Sequence, residues 1–123
     1  MVITAKQEKE GFETVFQNPA FKCAFISPSS QYAYGQVMLL KRHNDTDEIF
    51  VLLTGSAVLL TKDDDSADYQ ITPLQPKTAY NVVKGTWHHL AVSADALVFV
   101  TESGSMNKEN TESINIDAEE LFL

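Results

Sequence analysis

Apolar and polar residues alternate in short runs along most of this chain. "YGQVMLLKRH" and "EIFVLLTG" both read as strands with a period of two. "SAVLLT" follows at once across Thr54-Gly55-Ser56, where a tight turn is expected. "FKCAFIS" is a short β-rich run bounded by the turn signals "QNPA" and "SPSSQ". Further on, "YQITPL", "TAYNVVKG", "HHLAVS" and "ALVFVTES" are separated by Pro73, Pro76, Gly85 and Ser93-Ala94-Asp95. Short strands at regular spacing predict an all-β antiparallel sandwich or barrel. Helix is expected only over residues 5–10 and in a short piece near "DAEELF". Residues 104–123 read as a C-terminal tail that begins with the polar stretch "GSMNKENTES".

Composition narrows the class. The 123 residues, 44% hydrophobic and 21% charged, suit a single domain spanning 1–123 with one core. A net charge of -8, with nine Lys and Arg and no basic run, argues against a nucleic-acid partner or an anionic membrane surface. Cys23 is the sole cysteine, so no internal disulfide can form, and it reads as a small buried hydrophobe. "MVITAKQEKEGF" has no signal-like apolar region, and no later run approaches a membrane span, so a cytoplasmic location is expected. The acidic run in "KDDDSAD" lacks the alternating ligands, central Gly and closing Glu of a calcium loop, and reads as a hairpin tip.

Strand geometry sorts the candidate residues. Along "VMLLKRH", Val37, Leu39, Lys41 and His43 share one face, and Met38, Leu40 and Arg42 the other. If His43 faces a cavity, so does Lys41. An adjacent strand then brings Glu48 within reach, and the Gly85 turn can deliver His88. His88 and His89 alternate, so at most one of them enters the cavity, leaving the other for the outer face or an interface. Glu102 shares a face with Val98 and Val100, and Tyr80 and Trp87 are candidates for the pocket wall.

The same residues resemble the cupin motifs. Gly35, five residues to Lys41-Arg42-His43, four to Glu48 and six to Gly55 reproduce the first motif's spacing, with Lys41 where the first His should stand. In the second motif, Gly85 and His88 fall in place, while Lys77, Val83 and Val92 replace its first Gly, its Pro and its Asn. The two motifs span 35–55 and 77–92, about half the chain with the segment between them. The resemblance implies an antiparallel double-stranded β-helix, or jelly-roll barrel. It also implies His43, Glu48 and His88 as ligands to a divalent metal ion such as zinc, iron, manganese or nickel. Lys41 and Glu48 would be catalytic, and Lys41, Tyr80, Trp87 and Glu102 would line a substrate pocket.

Lys41 leaves three outcomes open. A metal stays and Lys41 turns to an anionic substrate; Lys41 replaces the metal's charge by pairing with Glu48; or it points to the mouth without a chemical role. The implied functions are a metal-assisted isomerase, lyase or oxygenase acting on a small polar or anionic metabolite, or a metal-free binder of a sugar or metabolite. A third comes from "YNVVKGTWHHLAV", which is similar to the Trp-His-His stretch of ureidoglycolate lyases. A homodimer through the outer sheets is expected. The tail "SINIDAEELFL" would either meet the partner or fold back on its own barrel.

Overall fold

The computed structural model describes residues 1–63, 68–105 and 111–116. Among these described residues ten strands follow one another: β1 Gly11–Gln17, β2 Lys22–Ser27, β3 Leu39–His43, β4 Glu48–Thr54, β5 Ala57–Lys62, β6 Gln70–Pro73, β7 Ala79–Val82, β8 Trp87–Val92, β9 Leu97–Glu102 and β10 Thr111–Asn115. They form two five-stranded antiparallel sheets, in the orders β1-β2-β9-β4-β7 and β10-β3-β8-β5-β6. No helix among the described residues is long and apolar enough to cross a membrane.

The core lies between the sheets. Ile26, Phe50, Leu52, Val98 and Val100 of the first meet Ala57, Leu59, Leu90 and Val92 of the second. Alternation sets this up: in β4, Glu48, Phe50 and Leu52 are buried, while Ile49, Leu53 and the half-buried Val51 face outward. A second, smaller cluster of Leu40, Leu60 and Trp87 forms on the other face of the second sheet, where Tyr69, Ile114 and Ile116 pack against it. The turn between β4 and β5 needs glycine. Gly55 has φ +71°, and a Cβ there would lie 2.6 Å from the Ala96 Cα.

Several expectations are revised. Residues 5–10 form no helix: "AKQEKE" has good helix formers but almost no apolar face to dock, and an isolated turn of that length does not hold. The piece near "DAEELF" lies outside the described residues, as do residues 64–67 of the acidic loop, which β5 and β6 flank. The strand expected from Tyr34 starts only at Leu39, because residues 29–36 wind through turns and bridge Ala33 to Val92. The segment read as a tail contributes β10, which pairs with β3, so its described part folds onto its own barrel. Cys23 is only partly buried, its Sγ 3.7 Å from Thr101 Oγ1.

Candidate functional site

Strand register assembles the site. In the first sheet Glu48 lies directly opposite Glu102, and Glu102 directly opposite Lys22. In the second, Lys41 lies opposite His88 and His43 opposite Thr111. Residues opposite one another in an antiparallel ladder point to the same face, here inward. All seven line a cavity of about 320 Å³, and all but Lys41 sit at or next to strand ends. Loop bonds hold the site together. Gly85 N–H, at a φ of +84° that suits glycine, donates to the His43 carbonyl at 2.8 Å. Asp47 accepts from Lys84 N–H at 2.8 Å and from the Asn81 amide at 3.1 Å, and these bonds hold its carboxyl below the usual range.

Glu48 and His88 are in close contact. His88 Nε2 lies 2.8 Å from Glu48 Oε1, and His88 Nδ1 lies 2.9 Å from the Thr86 carbonyl. A carbonyl and a carboxylate only accept, whereas a neutral imidazole has a single N–H. A neutral ring can therefore donate only one of these two contacts. Burial alone would raise Glu48. The hydrogen bond and charge of His88, with smaller contributions from Glu102 and His43, outweigh it and hold Glu48 below its ordinary value.

Glu102 is driven the other way. Burial, then the charge of Glu48, push it up to about 8, against the pull of Lys22 at 3.7 Å. Like charges directly opposite on neighbouring strands repel, and a proton kept on Glu102 relieves that. Its Oε2 is buried, has no hydrogen-bond partner among the described residues, and lies 3.8 Å from His43 Nε2. His43 Nε2 is also 3.8 Å from Glu48 Oε1, while its Nδ1 lies 3.1 Å from Thr111 Oγ1. Burial lowers the His43 pKa by more than Glu48 raises it, so its ring is neutral near pH 7.

The chain matches no protein-family model and no curated protein sequence. Solved structures do resemble it. A Streptomyces PAC13 variant with uridine superposes with a TM-score of 0.64 at 14% identity, covering 93% of this chain and 88% of that one. A QdtA 3,4-ketoisomerase variant from Thermoanaerobacterium thermosaccharolyticum, in complex with TDP, gives 0.59 at 16% identity over 73% of this chain and 63% of that one. A cupin-2 domain protein from Shewanella frigidimarina gives 0.53 at 18% identity over 76% and 79%. The chain has the cupin fold.

Within this cupin barrel, His43, Glu48 and His88 bring their ligand atoms within 4.8 Å of one another. Two imidazoles and a carboxylate at that spacing fit a divalent ion. Binding would replace the Glu48–His88 hydrogen bond, since ligands must be deprotonated. Lys41 also lines the cavity, where its ammonium opposes a cation at the same site.

Other residues sit differently from expectation. Trp87 does not line the cavity. It alternates with His88, so it packs on the opposite face with Leu40 and Leu60, under the Arg42 guanidinium at 4.3 Å. Tyr80 also stays out of the cavity: its ring packs on the core and its hydroxyl accepts from Gln75 N–H at 2.8 Å. His89, expected on the outer face, is buried and lines the cavity together with His88. β3 meets β8 only at Lys41–His88, and beyond that pair β8 is met by the winding segment, whose Tyr32 stacks on His89 at 5.0 Å. Burial pushes His89 down to about 4, so its ring is neutral. The sequence reading also missed Lys22, Tyr32 and Thr111 in the wall. Lys22 begins a run already read as a strand, so its alternation with Ala24 and Ile26 was the available signal.

Proposed function

We propose that this cupin is an enzyme that moves protons on a small polar metabolite of the nucleoside or nucleotide-linked sugar class, with His43 as base and Glu102 as acid. The observation that carries this reading is the buried Glu48–Glu102 pair. Two carboxyls held opposite one another are driven to opposite protonation states, the arrangement that separates an acid from a base. His43 faces both with a free Nε2 edge and takes the substrate proton; the Glu48 carboxylate then stabilises the imidazolium. Glu102 returns a proton to the departing or rearranging oxygen, and Lys41 orients the substrate. The neighbours support the class: PAC13, a nucleoside dehydratase, is seen with uridine, and QdtA is a ketoisomerase seen with TDP. The test is solvent-deuterium incorporation, followed by NMR, into a panel of nucleosides, TDP-linked keto sugars and ureidoglycolate. Wild-type exchange should fall roughly 10²–10⁴-fold in His43→Gln and Glu102→Gln. No exchange into any of them removes this reading.

A second reading has its own observation, the 4.8 Å donor cluster. Held by His43, Glu48 and His88, a divalent ion would act as a Lewis acid on a substrate carbonyl or diol. Elemental analysis of protein purified without an affinity tag, beside His43→Ala and Lys41→His, tests it. Near-stoichiometric metal, lost without His43 and held more tightly in Lys41→His, supports a metal site. We also propose a homodimer through the outer face of the first sheet, where Ile49 and Leu53 are 38% and 47% exposed. Analytical ultracentrifugation of wild type and Leu53→Glu tests that.

A further inference from the structure

The donors in this cavity are unequally used. Lys22 is shared with Glu102, and its ammonium also sits 5.2 Å over the Phe12 ring. Lys41 lines the same cavity, and among the described residues no ion pair or hydrogen bond engages its ammonium. It is close enough to His43 and His89 to lower both. The Tyr32 phenol, 7% exposed and fixed by its stack on His89, has no acceptor among the described residues. Burial, then the charges of Glu48 and Glu102, push it up to about 12, so it stays a donor. The Gln31 amide lines the wall beside it.

Lys41, Tyr32 and Gln31 come from β3 and the segment before it, whereas Lys22 comes from β2 and the carboxyls from β4 and β9. The Lys22 and Lys41 ammonium groups therefore face the Glu48 and Glu102 carboxyls, and only Lys22 is paired with one of them. In a chain of net charge -8, the cavity gathers two of the nine Lys and Arg residues. An unpaired ammonium in a half-buried wall is costly unless an anion reaches it.

We propose that the cavity takes an oxyanion-bearing metabolite, a phosphate ester, with Lys41 and Tyr32 on the phosphate and the hydroxyl-bearing part turned to Glu48 and Glu102. This deepens the proton-transfer reading above by naming the ligand's charge. Ammonium and phenol supply charge-assisted hydrogen bonds to phosphate oxygens, and the neutral nucleoside leaves both donors unused.

Calorimetric titration of the full chain with uridine, uridine monophosphate and inorganic pyrophosphate tests it. The monophosphate should bind at least about tenfold more tightly than uridine, the range expected for one charged hydrogen bond. That gap should close in Lys41→Met and in Lys41→Gln and shrink a few-fold in Tyr32→Phe, with folding checked by circular dichroism. Lys6→Met, which removes an equal charge outside the cavity, should leave it unchanged. Equal affinities, or a gap that survives both Lys41 variants, overturn the proposal; an unchanged gap in Tyr32→Phe removes Tyr32 from it. If neither nucleoside species binds, the substrate class proposed above is wrong and pyrophosphate decides the anion site. Saturable pyrophosphate binding that is lost with Lys41 upholds it. No pyrophosphate binding, or binding indifferent to Lys41, overturns it.

Discussion

On the inner faces of three strands, a packed region and a reactive region lie two rungs apart. β4 reads Glu48, Phe50, Leu52; β9 reads Val98, Val100, Glu102; β8 reads His88, Leu90, Val92. Leu52, Val98 and Val92 are 4%, 0% and 1% exposed, and Glu48, Glu102 and His88 are 5%, 8% and 6%. Depth is nearly the same at both ends and the chemistry is opposite. Burial of apolar side chains stabilises the fold by roughly 25 cal/mol per Å², whereas buried titratable groups cost free energy even when paired. The packed end of the barrel thus carries the stability that lets the other end hold two carboxyls and three imidazoles around a cavity.

The largest effects should expose that asymmetry. Leu59→Ala, in the packed region, should lower unfolding stability by about 2–5 kcal/mol in urea titrations. Glu102→Met, at equal depth in the reactive region, should be neutral or stabilising by about 1 kcal/mol, because it removes a buried group that Glu48 repels. Equal losses from the two would break the comparison.

The pH dependence of stability comes next in size. Glu102 has a folded pKa of about 8 against an ordinary 4.5. A raised group gives stability that is complete below its unfolded value and is lost as pH rises through the folded one. Stability should therefore fall between about pH 4.5 and 8, with a slope of at most about 1.4 kcal/mol per unit. Glu102→Gln should flatten it. Glu48, held below its ordinary value, acts oppositely: its contribution is present above that value and is lost on acidification. The two slopes together should give a maximum in mildly acidic solution, which urea midpoints measured across pH would locate.

Much of this layout was legible in the chain, and the part that was not has a common cause. Alternation in "EIFVLLTG" and "ALVFVTES" marks β4 and β9 and turns Glu48 and Glu102 to one face with their apolar neighbours. Motif spacing points to His43, Glu48 and His88, which the structure brings together. What a single sequence does not carry is register between distant strands. Lys22 enters the site because it pairs with Glu102, and Thr111 because it pairs with His43. β10 itself, "TESIN", is too polar to announce a strand and forms by pairing along β3. Tyr32 depends on the course of a loop, and His89, opposite Leu60 by register, still reaches the cavity wall where the loop rather than β3 flanks β8. Trp87 obeyed the alternation rule, and its opposition to His88 was the better guide to its place than its bulk.

The smallest predicted effect gives the finest comparison, between neighbours on one strand. Lys41 points into the cavity, and Arg42 lies across Trp87 on the far face while hydrogen-bonding Glu112. Arg42 is in contact with a buried ring, but Glu112 is half exposed, so water screens the ion pair and most of its worth lies in the stacking. Arg42→Met should cost about 0.5–1 kcal/mol of stability and leave pyrophosphate titration unchanged. Lys41→Met should abolish pyrophosphate binding and leave urea stability the same or slightly raised, since it removes an ammonium that no described residue pairs. If instead Lys41→Met unfolds the chain more readily than Arg42→Met, Lys41 is held by the barrel itself. It would then be a structural counter-charge to Glu48, and the donor side of the cavity would lose its strongest member.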